Sequence, residues 1–182
     1  DPRTFYEATT GLTGESEEKG LKIAVVSYAT DSIENYAAYT FSINSVWADQ
    51  HQYPFFILSP GTGSEHEPRD QRWNRVKILS EALVPESGSL VGFDYIVWMD
   101  ADLVVTDLAY SLEPLIEQYP NADMIISAER HAETGVANTG CFIVRNSQWT
   151  RDWLDQWWEN YDHTEAHDQI MFDRLYKARL PE

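Results

Sequence analysis

The chain has 182 residues, 43% hydrophobic and 24% charged, a size and balance suited to one globular domain with a single large core. Thirteen Lys and Arg against 30 Asp and Glu leave a net charge of −17, which argues against a nucleic-acid partner because such a surface repels phosphate backbones. No run of about 18 apolar residues occurs, so no membrane span is expected, and the lone Cys141 excludes an internal disulfide and leaves the compartment open.

Residues 1–20 hold Thr, Gly and Glu without a period and read as a loose lead-in to a single domain over 21–182. The chain starts at Asp1 without a signal-like segment, and the expectation is of a trimmed or partial protein, incomplete at its C-terminal end. Lys22–Ser27 is a buried strand. From about Ile33 to Asp49, Ile33, Tyr36, Ala37, Ile43, Val46 and Trp47 recur near helical spacing, with Asp31 or Ser32 as the cap. Phe55–Leu58 is a second strand, closed by Pro60 and Gly61. A loop through Glu65 and His66 leads to a helix over Asp70–Leu83, apolar at Trp73, Val76, Leu79 and Leu83.

Ile96, Val97, Trp98 and Met99 form an uncharged strand that ends abruptly in Asp100-Ala101-Asp102. A central strand covered on both faces has no place for two acids, so they emerge at its carboxyl end, where open α/β sheets bind ligands. A helix is expected over Asp107–Gln118, bent or restarted near Pro114, with Asp107 as its N-cap. Strands follow at Met124–Ser127 and Gly140–Arg145. Asn146 or Ser147 caps a helix on which Trp149, Trp153, Trp157 and Tyr161 recur every four residues as a core stripe. Trp158 points elsewhere, where stacking on a sugar is conceivable. A last helix spans about Glu165–Tyr176. The β-α-β-α-β opening implies parallel strands with right-handed crossovers.

Two hard oxygen ligands at a strand end can hold a divalent cation, and the cation a phosphate. The D-x-D spacing alone is equally met by a solvated acidic turn. Ser27–Asp31 lacks both glycine-rich phosphate-loop signatures, so a bound phosphate needs another source of positive charge. His163 and His167, four apart, do not make the H-E-x-x-H zinc pattern.

The ordered set is more specific than any part of it: Asp100-Ala101-Asp102-Leu103, then Asn138-Thr139-Gly140-Cys141-Phe142-Ile143-Val144-Arg145-Asn146, a Trp-rich helix, then His167-Asp168-Gln169. Over residues 21–176 this resembles nucleotide-sugar-dependent glycosyltransferases of the GT-A type, most of all the retaining galactosyl-, mannosyl- and xylosyltransferase families. The resemblance implies a Rossmann-like α/β fold, with a mostly parallel central sheet flanked by helices on both faces. It implies that Asp100 and Asp102 bind Mn²⁺ or Mg²⁺, with Ala101 against the ribose. Asn138 and Gly140 would lie beside the donor sugar. Asp168 and Gln169 would orient that sugar and support positive charge at its anomeric carbon. Tyr28 either stacks on the nucleotide base or packs in the core. Lys77, with Arg72 and Arg75, either reaches the diphosphate or lines a solvated helical face.

The implied reaction moves a sugar from a UDP- or GDP-linked donor to a hydroxyl of a glycan or glycoprotein acceptor. Kinship also implies a Golgi or other secretory-pathway lumen. One departure stands out: such families supply a further metal ligand, usually a His near a Gly, after the last matched helix, and no His follows His167 here. Two alternatives therefore stay open. One is a non-catalytic glycan- or partner-binding module derived from a transferase. The other is a metal-dependent nucleotidyltransferase, which the lack of a basic, glycine-rich triphosphate loop disfavours.

Overall fold

Strands β2 (Ile23–Ser27) and β4 (Tyr95–Met99) are buried at every position, as their uninterrupted apolar sequences require of strands covered on both faces. The computed structural model describes residues 6–7, 20–58, 69–129, 136–162 and 167–179. Around β2 and β4 lie β1 (Tyr6–Glu7), β3 (Phe55–Ile57), β5 (Met124–Ala128) and β6 (Ala137–Arg145), in the order β1-β3-β2-β4-β6-β5. The pairs β2–β3 and β2–β4 are parallel, and β1–β3, β4–β6 and β5–β6 are antiparallel. Four of the six strands (β2, β3, β4 and β5) thus run the same way, and the expected mostly parallel α/β sheet is present.

The two faces of the sheet carry separate cores, as the period of two in each strand dictates. On one face Ala24, Val26, Ile96, Trp98, Phe142 and Val144 meet α2 (Asn74–Ala82), α4 (Gln148–Glu159) and α5 (Asp168–Lys177). On the other, Ile23, Val25, Val97, Met99 and Ile143 meet α1 (Glu34–Gln50) and α3 (Glu113–Gln118). Trp153 and Trp157 are buried in the first core, while Trp149 at the outer end of that stripe is 38% exposed and stacks on Trp153. Trp158 is half-buried beneath the Arg69 guanidinium, 3.8 Å from its ring.

Several sequence expectations need correcting. Two residues of the supposed loose lead-in, Tyr6 and Glu7, form the edge strand β1. Helix α1 begins after Ile33 without a side-chain cap, so neither Asp31 nor Ser32 serves. Its buried residues are Ala37, Phe41, Asn44, Trp47 and Ala48, leaving Tyr36, Ile43 and Val46 exposed. Helix α3 starts at Glu113; Asp107 instead closes a turn by accepting the Ala109 amide at 3.0 Å. The helix expected from Asp70 opens as a 3-10 turn over Gln71–Trp73 before α2. Strand β6 begins at Ala137, which puts Asn138 and Gly140 inside a strand between β4 and β5. Ser147 does cap α4, accepting the Thr150 amide. Pro60, Gly61, Glu65, His66 and His163 lie outside the described residues.

Candidate functional site

At the carboxyl end of β4 the Ser27 hydroxyl donates to the Met99 carbonyl at 2.6 Å, and the Asp100 amide donates to the Gly140 carbonyl at 2.8 Å. The acidic pair leaves the sheet where β4 and β6 part. One Asp100 oxygen, Oδ1, accepts the Trp98 indole N–H at 2.7 Å and faces the Arg75 guanidinium at 3.1 Å. The same guanidinium meets Asp168 Oδ2 at 3.1 Å and donates to the Thr139 carbonyl. Arg75, itself 8% exposed, thus joins α2 to β4, β6 and the first residue of α5.

Asp168 is 2% exposed, and its carboxylate also accepts the Thr139 hydroxyl at 3.3 Å. The Trp157 indole N–H holds its carbonyl at 2.9 Å, and the Gln169 side chain accepts the Thr139 amide at 3.2 Å. Burial pushes the Asp168 carboxyl above its ordinary range, although Arg75 and then Thr139 pull it down. Asp100 is raised for the same first reason, with Arg75 and Trp98 opposing and the Asp102 charge adding to the rise. Neighbouring Cys141 is pushed up to about 11 by burial and then by Asp100.

Asn138 folds back on its own strand: its Oδ1 accepts the Gly140 amide at 2.8 Å, while its Nδ2 donates to Glu129 at 2.8 Å. Gly140 has a local reason to be glycine. A Cβ there would sit 3.0 Å from Asn138 Oδ1 and 3.3 Å from Asp100 Oδ2. At the cleft mouth the Arg72 guanidinium lies 2.9 Å from His167 Nε2 and is gripped by both oxygens of Asp70, at 2.6 and 2.8 Å. The hydrogen bond from Arg72 holds the Asp70 carboxyl down at about 2.

Arg72, Arg75, Thr139 and His167 line one cleft of about 650 Å³, into which Asp100, Asp102, Asn138, Gly140, Asp168 and Gln169 all open. The other three predicted residues lie outside its lining. The Tyr28 hydroxyl accepts from Asn74 at 2.9 Å and its ring packs against the first core. Lys77 pairs with Glu81 at 3.4 Å and overlies Trp158. Ala101, 4% exposed, sits in the second core beneath α1. The sequence reading gave Arg75 no part in joining the two acids and gave Thr139 no role. A signal for Arg75 existed: it shares a helical stripe with the apolar Ile78 and Ala82, and a charge in such a stripe needs partners.

Among the described residues no group of three or more His, Cys, Asp and Glu side chains could hold a metal ion. Arg75 and Trp98 occupy Asp100 Oδ1 and leave Oδ2 beside the gap at Gly140, and Asp102 lines the same cleft, so two carboxylates would be open to a hard cation. Phosphate oxygens and water would have to complete the coordination.

No protein-family model matches the chain. It is similar to a crystal structure of a glycosyltransferase involved in the glycosylation of the major capsid of PBCV-1, at TM-score 0.69 and 17% identity, over 87% of this chain and 78% of that one. The chain adopts a GT-A-like glycosyltransferase fold. A rice protein (Oryza sativa subsp. indica) named probable glycosyltransferase 2 is 37% identical over 70 residues, 35% of this chain. Galactomannan galactosyltransferase 1 of Cyamopsis tetragonoloba is 26% identical over 100 residues, 50% of this chain. The matched stretches make up 14% and 21% of those relatives' own lengths. In this glycosyltransferase fold the sequence motifs of three separate elements, β4, β6 and α5, meet at one cleft.

Proposed function

We propose that the domain transfers a glycosyl group from a nucleoside diphosphate sugar to a hydroxyl acceptor, with Mn²⁺ or Mg²⁺ at Asp100 and Asp102 and with retention of anomeric configuration. The convergence of Asp100, Asp102, Asn138, Gly140, Asp168 and Gln169 on one cleft carries this reading. The bond from the anomeric carbon to the diphosphate breaks, the diphosphate keeps the electron pair, and the acceptor oxygen bonds to that carbon as it loses its proton. When bound, the cation supplies Lewis-acid neutralisation of the leaving group.

The protein's own groups act on the sugar. Asn138 keeps one Nδ2 hydrogen and one Oδ1 lone pair beyond its bonds to Glu129 and Gly140, and both can address sugar hydroxyls. Gly140 leaves room for the ring beside Asp100. Asp168, fixed by Arg75, Thr139 and Trp157, presents a rigid carboxylate below the anomeric carbon, and such preorganisation stabilises developing positive charge. Gln169 orients the sugar. In the proposal Tyr28, Lys77 and Ala101 reach the donor only if the nucleotide extends past the cleft lining. The relatives' names favour glycosyl transfer, and in one case a galactomannan acceptor; the nucleotide-sugar donor and the secretory-pathway lumen belong to the proposal through the resemblance alone.

Calorimetry with UDP and GDP, with and without Mn²⁺, tests the proposal. Metal-dependent binding that Asp102→Asn weakens at least tenfold is expected; binding indifferent to both metal and the substitution would refute it. Release of pyrophosphate instead of nucleoside diphosphate would favour the nucleotidyltransferase. Glycan binding that persists in chelator, without donor turnover, would favour the non-catalytic module.

A further inference from the structure

Between β4 and α3 the chain runs from Asp100 to Leu112 without regular structure. Its backbone groups still need partners, and helix α1 with the residues just after it supplies them. The Thr40 hydroxyl donates to the Ala101 carbonyl. Asn44 Nδ2 donates to the Leu103 carbonyl at 2.8 Å, and Asn44 Oδ1 accepts the Val105 amide at 2.9 Å. Further along, the Trp47 indole holds the Tyr110 carbonyl at 2.8 Å and the Tyr53 hydroxyl accepts the Leu112 amide at 3.0 Å.

Asn44 is the informative member. It is 1% exposed and lies in the buried stripe Ala37, Phe41, Asn44, Ala48, a position where an aliphatic side chain would be the ordinary occupant. A buried carboxamide is tolerated only when its polar groups are bonded. Here donor and acceptor both serve the same short segment, as a neighbouring strand would. Asp102 therefore stands between two anchored residues, Ala101 on Thr40 and Leu103 on Asn44.

We propose that Asn44, together with Thr40, is a positioning residue that holds the exposed Asp102 at the cleft mouth and so sets the affinity for a divalent cation carrying a nucleoside diphosphate. The proposal rests on the role given to Asp102 above, and α1 acts here through the backbone without touching the ligand.

The test uses the full chain with Thr40→Val, Thr40→Ser and Asn44→Leu, following amide hydrogen exchange by NMR and the affinity for Mn²⁺ with UDP by calorimetry. In Asn44→Leu the Val105 amide, which loses its acceptor, and in both Asn44→Leu and Thr40→Val the Leu103 amide, which closes the turn on the Asp100 carbonyl, should exchange about tenfold faster. Amides of β2 should be unchanged, and Mn²⁺–UDP should bind about tenfold more weakly. Thr40→Ser, which keeps the hydroxyl, should match wild type in both. If Asn44→Leu does not fold, the Thr40 pair decides alone. Faster exchange across the whole sheet, unaltered Mn²⁺–UDP affinity, or a Thr40→Ser variant as weak as Thr40→Val would each overturn the proposal. Wild-type protein that binds neither UDP nor GDP with Mn²⁺ sinks the proposed function itself. Localised exchange in the variants would then show that Asn44 anchors a loop without a ligand role, and this proposal falls separately.

Discussion

Replacing Arg75 with methionine keeps most of the side-chain volume and removes the cation between Asp100 and Asp168. Each carboxylate lies 3.1 Å from the guanidinium, a gross attraction of about 5 kcal/mol per pair at an effective dielectric of about 20. Desolvation of three groups cancels much of that, so the ion triad adds little net stability, but breaking it strands two carboxylates. Removing one member of such a buried set typically costs about 3–5 kcal/mol. The loss should depend on pH. Burial already holds both carboxyls above their ordinary values with Arg75 in place. A group with a raised folded value contributes stability that is complete below its unfolded value and lost as pH rises through the folded one. Without Arg75 both values rise further, so the variant suffers most at neutral pH and recovers relative to wild type on acidification, as the stranded carboxylates take up protons. Urea denaturation of both proteins at about pH 7.5 and about pH 5 measures the gap directly. A gap equal at the two pH values, or below about 1 kcal/mol at the higher one, would refute the assignment of Arg75 as the common counter-ion of the two acids.

Gly140→Ala should lower the denaturation midpoint and weaken Mn²⁺–UDP binding in calorimetry, because the new methyl would lie 3.0 Å from Asn138 Oδ1, which accepts the Gly140 amide, and 3.3 Å from Asp100 Oδ2. Trp157→Phe should cost about 1–3 kcal/mol in urea unfolding, since the Asp168 carbonyl loses its buried indole donor. Cys141, with its thiol pushed up to about 11, should react with a disulfide reagent at about pH 8 at least tenfold more slowly in the native state than in urea. The lower thiolate fraction outweighs the greater nucleophilicity of the more basic thiolate.

The central strand, its terminal acids and the capped Trp-rich helix were legible because local signals agreed, whereas the approach of β6 and α5 to those acids was implied only by the resemblance to glycosyltransferases. Direction and register were not legible. Nothing local tells β6 to lie antiparallel against β4, pairing Met99 with Cys141; β5 runs the same way as β4, and β6 turns back against it and inserts between the two. Helix α1 misled for a physical reason. Its apolar residues occupy two faces, and the buried face includes Asn44 and the half-buried Thr40, because it meets backbone carbonyls as well as side chains. Periodicity that scores only apolar residues passes over such a face. Asp107 looked like a helix cap and does cap, but it caps a turn, since Asx side chains close both structures with the same bond.

Charge explains how an acidic protein can be expected to hold an acidic ligand. The cleft is lined by Arg72 and Arg75 against Asp100, Asp102 and Asp168. Neither arginine is free to meet a diphosphate. Arg75 is shared by Asp100 and Asp168, and Arg72 is held by both oxygens of Asp70. Counting Asp70, two positive charges face four negative ones, a balance that repels a nucleoside diphosphate and attracts a divalent cation. Under the proposed function the ion therefore has to arrive with the donor or before it. Donor binding should accordingly grow stronger with Mn²⁺ concentration up to saturation, and in chelator added salt should not restore it, because screening weakens the repulsion without supplying a ligand for the phosphates.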